Sequence, residues 1–416
     1  MATAVVSAPL CVLFLCLSLQ PSRGLFNSGT DGYRRKVSLE FNPGLNSSPA
    51  APPGVNVLHV RAVGPSDTLH FIWGSQGAPT LLLIHTNSSN SSLHIDWQRM
   101  LSSNSTGSLW VEPETSVQYS SALVFTRIWE YSDDNDTADP SRVPSSSFFP
   151  AYDLADFAWD DLNRTLNRTT LRGQLCGRNS SDPAGAFANG SVCLEISAFE
   201  AWGRDAAWPR LLHSANSSQL RLVVSNVTER ANQSRFALEM VAVTGRGHQS
   251  RVDTLRSIDD ENTPSIFQVS QWVTMPANAS APVLSFAQWK PVAYRSQAPV
   301  FEDATPVRHS ALLDLPIPPD SGLVRAFFGD QPSPGYQAVA LNVSFGITGD
   351  PFYNATRFLS WTVMLGLGSP PQDFFSVLVQ VIMVVALGTP LLLLLVGGLY
   401  VCLGHRKQAP GYAPIN

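Results

Sequence analysis

Short apolar runs separated by Gly, Pro, Asn and Ser dominate the first third of the chain. They read VNVLHVRAV (55–63), TLHFIWG (68–74), TLLLIHT (80–86), SLHIDW (92–97) and SLWVE (108–112), and SALVFTRIWEY (121–131) closes the set. Runs of this length, rich in Val, Ile, Leu and aromatics and about ten residues apart, predict strands of a β-sandwich. The polar, Pro-rich stretch 133–150 then reads as a linker or long loop. A second set of strand-like runs covers 170–176, 191–202, 219–227, 235–245, 257–273, 286–294, 322–329 and 336–347. Few stretches hold a helical period for three turns, and part of 361–374 reads as a short lead-in to a membrane. The expected fold is mainly β: sandwich-like subdomains over 25–145 and 146–370, followed by a single C-terminal transmembrane helix.

Two longer apolar stretches set the topology. Ala8 to Leu19 is apolar and gives way to small and polar residues, the layout of a signal peptide over 1–24, although its first residues carry no Lys or Arg. Phe374 to Gly404 holds no charged residue. About 20 helical residues already cross a hydrocarbon core of roughly 30 Å. His405, Arg406 and Lys407 follow at once and place the tail, 405–416, in the cytosol. Both signals predict a type I, single-pass protein with an exoplasmic body. Within the span, Pro390 removes a backbone donor and is expected to kink the helix. Gly388, Gly397 and Gly398 would permit close approach of another membrane helix.

Composition sharpens the picture. Charged residues make up 14% of the chain, against about 25% for an ordinary soluble domain. A net charge of -5 with no basic patch excludes nucleic acid as an expected partner. Solubility is expected from sugar instead. Asn-x-Ser/Thr sequons stand at Asn46, Asn87, Asn90, Asn104, Asn135, Asn163, Asn167, Asn179, Asn189, Asn216, Asn226, Asn232, Asn278, Asn342 and Asn354, all before the span. Cys11 and Cys16 fall in the signal peptide and Cys402 in the span. That leaves Cys176 and Cys193, which in an oxidising compartment most simply pair.

Catalytic patterns are scarce. There is no GxSxG elbow, HExxH pair or GxxxxGK[ST] loop. Asp259, Asp260 and Glu261 form an acidic triplet, and Asp153, Asp156, Asp160 and Asp161 are scattered. Such residues are more often caps and solvated turns than a glycosidase pair. Asp133, Asp134, Asn135 and Asp136 loosely suggest a calcium loop but lack its Gly and Glu. Seven histidines in the body (His59, His70, His85, His94, His213, His248, His309) could titrate in an acidic compartment. No catalytic, metal or cofactor-binding residue is assigned.

The strings SSALVFTR (120–127), YDLADFAW (152–159), FANGS (187–191), RLLHSA (210–215), SIDDE (257–261), FAQWKPVAY (286–294), VRAFFG (324–329) and LSWTVMLGLGSPP (359–371) resemble the glycosylated lysosomal membrane protein family. The likeness runs from about Val37 into the tail. It departs in having only two lumenal cysteines, where mammalian relatives are expected to carry more, and in a Pro-rich tail. The resemblance implies residence in the lysosomal membrane and a non-enzymatic accessory role. It implies a lysosomal major-facilitator-superfamily transporter of dipeptides as partner, shielded by the glycosylated body from lumenal proteases. A structural coat of the membrane, or a tethered hydrolase, are the alternatives. The tail ends GYAPIN. Gly411, Tyr412 and Ile415 then read as a lysosomal sorting signal that adds as a strand to a clathrin adaptor. Tyr412 lies at most roughly 23 Å of extended chain beyond His405. Tyr412→Ala should raise cell-surface abundance severalfold by surface biotinylation. Unchanged lysosomal residence would remove the tail signal from the scheme, or shift it to a partner.

Overall fold

The computed structural model describes residues 33–45, 54–257, 266–277, 282–329, 335–373 and 377–407. The apolar runs become strands of two antiparallel sheets. In the first sheet the order is Lys36–Phe41, Val57–Val63, Thr68–Gly74, Thr80–Thr86, Val117–Ser132, Ser234–Gly245 and Tyr336–Phe345. In the second it is Ala158–Trp159, Arg172–Arg178, Ser191–Ala198, Ser217–Ser225, Phe358–Leu367, Ser285–Trp289, Gln268–Pro276 and His248–Arg256. Strand Ala304–His309 joins them, pairing with Val292–Tyr294 on the second sheet and with Tyr336–Phe345 on the first.

Period-two alternation decides what lies between the sheets. Leu58, Val60 and Ala62, then Leu69, Phe71 and Trp73, face Leu220, Leu222, Trp361, Val363 and Leu365 in one continuous core. Trp289 and Trp361 meet edge to face at its centre, ring centroids 5.8 Å apart. The opposite face of the first sheet is also dry. Val57, Ile72, Leu82, Ile84, Val124, Val241 and Ala340 pack under a second apolar layer. That layer comes from α1 (Trp97–Met100), the Ser92–Ile95/Leu109–Glu112 hairpin and α2 (Gly322–Phe328). Every residue of Thr68–Gly74 is therefore buried. This explains why the runs read as continuous apolar blocks rather than as clean alternation.

Two expectations change, and the reading of 133–150 as a long loop holds. Residues 322–329 form a helix, α2, not a strand. Ser321 caps it by accepting a hydrogen bond from Val324 N, and Leu323, Val324, Ala326 and Phe328 fall at helical spacing on the buried side. Gly329 ends it with a φ of 97°, a conformation that favours glycine. Part of 361–374 is not a lead-in helix. Phe358–Leu367 is a central strand, paired on both edges. The stretch 133–150 docks as a loop with two 3₁₀ turns: Phe149 N donates to Glu130 O, and Phe148 bridges Tyr131.

Among the described residues, those up to Pro371 form one compact unit and those from Gln372 onward a second. Residue 145/146, the expected subdomain boundary, falls inside the first unit. Strands from both sides of it pair directly, Val117–Ser132 with Ser234–Gly245. The second unit holds α3 (Val377–Lys407), within which Gln380–Leu403 is long and apolar enough to cross a membrane. The signal-peptide region 1–24 and the tail residues Gly411, Tyr412 and Ile415 lie outside the described residues.

Cys176 and Cys193 are bonded across directly paired strands Arg172–Arg178 and Ser191–Ala198. The closed loop spans a sequence separation of 17, for which chain entropy gives about 3 kcal/mol. Cys176→Ala/Cys193→Ala should lower unfolding stability by that order in urea titrations. An unchanged midpoint would show that the strand pairing alone suffices.

Candidate functional site

The sequons form the most extensive chemical feature of the surface. Asn46 and Asn278 lie outside the described residues. Among the other thirteen, Asn87, Asn90, Asn104, Asn135, Asn163, Asn167, Asn189, Asn226, Asn232 and Asn354 are exposed. Several sit in turns that present the side chain. Asn167 Oδ1 accepts from Thr169 N and Thr170 N. Asn179 Oδ1 accepts from Ser181 N and its hydroxyl. Asn226 adopts a φ of 53°, a left-handed conformation that asparagine tolerates. Asn179, Asn216 and Asn342 are half-buried. Asn216 Oδ1 is engaged by Arg35 Nε at 2.8 Å.

Beneath this surface the acidic residues are held by arginine. Asp133 accepts from Arg235 Nε at 2.9 Å and also from Thr137 and Ala138. Arg235 reaches Asp136 too. The region that loosely suggested a calcium loop is thus closed around a guanidinium. Glu130, fully buried, accepts from Tyr152 Oη, Ser234 Oγ and Arg230 N. Arg230 also pairs with Asp182 at 3.0 Å. Arg35 grips Asp67 with both terminal nitrogens, at 2.9 and 2.6 Å. The sequence contains few lysines, and these sites supply a reason: a planar guanidinium can fill two acceptor positions in a confined space where an ammonium cannot. The scattered carboxylates behave as caps. Asp153 accepts from Ala155 N and Asp161 from Asn163 N. Asp259, Asp260 and Glu261 lie outside the described residues.

Sequence reasoning did not find the histidine pair. His59 Nε2 lies 2.9 Å from His70 Nδ1, and His70 Nε2 lies 2.9 Å from Ser91 Oγ. The rings stack, and both are buried in the first sheet. Burial, with Arg61 nearby, lowers His70 to about 3. Burial and the neighbouring His70 and Arg61 hold His59 well below its ordinary value. The signal lay in strand register: His59 and His70 occupy outer-face positions flanked by apolar residues on paired strands. Asp133 behaves oppositely. Burial opposes its ionisation, but the bonds from Ala138, Thr137 and Arg235 outweigh that and hold it below the usual carboxylate range.

The concavities are modest. A cavity of about 50 Å³ between the sheets is lined by apolar residues and the hydroxyls of Ser121, Thr244, Thr274 and Ser285. A polar groove of about 210 Å³ contains Glu195 and Asp205. Arg221 meets Glu195 at 3.2 Å, and Arg172 and Gln219 engage Asp205. Among the described residues no group of three His, Cys, Asp or Glu side chains is placed to hold a metal. In α3, Thr389 Oγ1 donates to Val385 O at 2.6 Å, just before Pro390. Among the described residues, no atom outside the helix backbone lies within 4 Å of where a Cβ would stand at Gly388, Gly397 or Gly398. At about 100° per residue, Gly397 lies on the side opposite Gly388, so the glycines do not share one face.

A β-rich body bearing exposed sequons, joined to one helix of membrane-spanning length, defines the class of protein. The chain belongs to the glycosylated lysosomal membrane protein family, whose family model matches residues 56–408. It is 51% identical over 397 residues to the glycosylated lysosomal membrane protein of Danio rerio, covering 95% of each chain. It is 45% identical over 403 residues to glycosylated lysosomal membrane protein B of Xenopus laevis, covering 97% of this chain and 96% of the relative. Against the Homo sapiens protein of the same name, identity is 40% over 387 residues, covering 92% and 91%. The family carries the name of a lysosomal membrane glycoprotein rather than of a hydrolase.

The buried pair gives a signed pH prediction. Below about pH 6.5 the unfolded chain protonates these histidines while the folded chain holds them neutral. Stability therefore falls as pH drops through and below that value. The contribution of Asp133 is present above its unfolded value and is lost only as pH falls through its lower folded value. It therefore survives at pH 5. Urea midpoints between pH 7 and 5 should fall less steeply for His59→Gln/His70→Gln than for the unmodified protein. Parallel slopes would contradict the neutral assignment.

Proposed function

We propose that this protein is an accessory subunit of a lysosomal major-facilitator-superfamily transporter of dipeptides, protecting that transporter from lumenal proteolysis. In this reading the β body faces the lumen, α3 crosses the membrane in type I orientation, and the tail carries the sorting signal to a clathrin adaptor. The single observation that carries it is the division of labour among polar groups. Ten of the thirteen described sequon asparagines are exposed, whereas the carboxylates Glu130, Asp133, Asp182 and Asp205 are bound by arginines and backbone donors. Buried acids so engaged brace a fold.

Occupied sequons would add hydrophilic bulk over loops such as 87–91, 163–169 and 226–234, where a protease would otherwise find exposed backbone. Membership of the lysosomal membrane glycoprotein family agrees with that role.

The test is a pull-down of the full-length protein from lysosomal membranes in mild detergent, with mass spectrometry and partner half-life after knockdown. A stoichiometric multi-span transporter whose half-life falls severalfold on depletion is the expected result. Recovery of this protein alone, with every transporter unaffected, would favour a membrane coat. Hydrolysis of a lumenal substrate that is lost in the purified null membranes would favour a tethered enzyme.

A further inference from the structure

The outer face of the second sheet is polar where its inner face is dry. On the paired strands Arg172–Arg178, Ser191–Ala198 and Ser217–Ser225, Arg172, Ser197 and Gln219 stand directly opposite one another. Gln174, Glu195 and Arg221 form the next row. Both rows alternate with Leu175, Leu194, Ile196, Leu220 and Leu222, which enter the inter-sheet core. Asp205, just after strand Gly203–Arg204, engages Arg172 and Gln219. Together these side chains line the groove of about 210 Å³.

The polar capacity of the groove is not used up. Gln219 is 2% exposed, yet its Oε1 accepts no hydrogen bond among the described residues, and Arg221 Nε donates none. The charges of the lining are already matched: Glu195 meets Arg221, and Asp205 meets Arg172. A spare acceptor, a spare donor and paired charges suit a neutral ligand rich in hydroxyls and amides.

Strand register shows where such a ligand comes from. The sequons Asn163, Asn167 and Asn179 sit on the loops flanking strand Arg172–Arg178. Of these, Asn167 is bridged to Arg172: each backbone N–H donates to the other's carbonyl, at 2.7 and 3.0 Å. Directly opposed residues of an antiparallel pair face the same side, so Asn167 heads the row of Arg172, Ser197 and Gln219. Asn167 is exposed, and its Oδ1 is held by Thr169 N and Thr170 N. That contact sets the direction of Nδ2, the atom that takes the sugar. Three strand spacings, about 14 Å, separate Asn167 from Gln219, a distance that a few linked sugars span. We propose that the groove holds this chain's own glycan: the N-acetylglucosamine residues attached to Asn167 lie along the row, their hydroxyl and acetamide groups meeting Gln219 and Arg221. The glycan is then a fixed cover over the outer face of the second sheet, not a freely moving chain. This goes beyond the accessory-subunit reading and does not depend on it.

The test is site-by-site release of the sugars. The full-length protein is expressed in cells lacking N-acetylglucosaminyltransferase I, so that every glycan keeps its oligomannose form, and is purified folded in mild detergent. Endoglycosidase H cuts between the first two sugars, and mass spectrometry follows the cut at each sequon. The glycan at Asn167 should be released about tenfold more slowly than those at the exposed sites Asn104 and Asn232, and at their rate after denaturation. Gln219→Met keeps the length of the side chain and removes its amide. It should speed release at Asn167 severalfold and leave the other sites unchanged. Glu195→Ala, in the more exposed row, should do the same and serves if the Gln219 variant does not fold. Release at Asn167 as fast as at Asn104 in the folded protein overturns the proposal, as does an Asn167 that carries no glycan. Slow release that neither substitution alters assigns the protection to the loop or to a bound protein, and overturns the groove assignment as well.

Discussion

The rest of the structure depends on a sheet that is dry on both faces. Seven strands from Lys36–Phe41 to Tyr336–Phe345 lie between the inter-sheet core and the layer formed by α1, α2 and the Ser92–Ile95 hairpin. Few charged side chains can be accommodated there, and the low charge content of the chain follows. Charged groups that do enter must be satisfied internally, because an unpaired buried charge is severely destabilising. Glu130 and Asp133 are accordingly surrounded by donors, and Asp67, at the margin of the core, is gripped by Arg35.

The same constraint moves solubility and recognition to the periphery. With the interior committed to apolar packing, the surface needs polar bulk from another source, and exposed sequons are placed to supply it. They crowd loops and one edge of the second sheet but spare strand His248–Arg256.

Acid stability is divided between two kinds of buried group. The histidine pair loses stability as pH falls below about 6.5, since only the unfolded chain gains protons there. The carboxylates held by arginine keep their contribution until pH falls through values below the ordinary aspartate range. Bracing by arginine therefore persists in the range where histidine burial becomes unfavourable.

Short apolar runs and Gly, Pro, Asn and Ser punctuation disclosed most strands, because strand propensity and turn chemistry are local. The long apolar segment disclosed α3 for the same reason, and the sequons and the pairing of Cys176 with Cys193 were legible from compartment logic. The quoted strings disclosed the family. What sequence misplaced depended on distant partners. Phe358–Leu367 and Gly322–Phe328 are both short and apolar, and only the neighbours available to each decide that one becomes a central strand and the other a capping helix. Strand His248–Arg256 escaped notice because its residues are polar and its pairing with Gln268–Pro276 supplies the order. His59 against His70, and Arg235 against Asp133 about a hundred residues away, are contacts made by strand register and loop docking. Local composition fixed which elements could form. Tertiary packing alone decided which groups would meet, since burial and pairing energies belong to contacts between segments and not to either segment by itself.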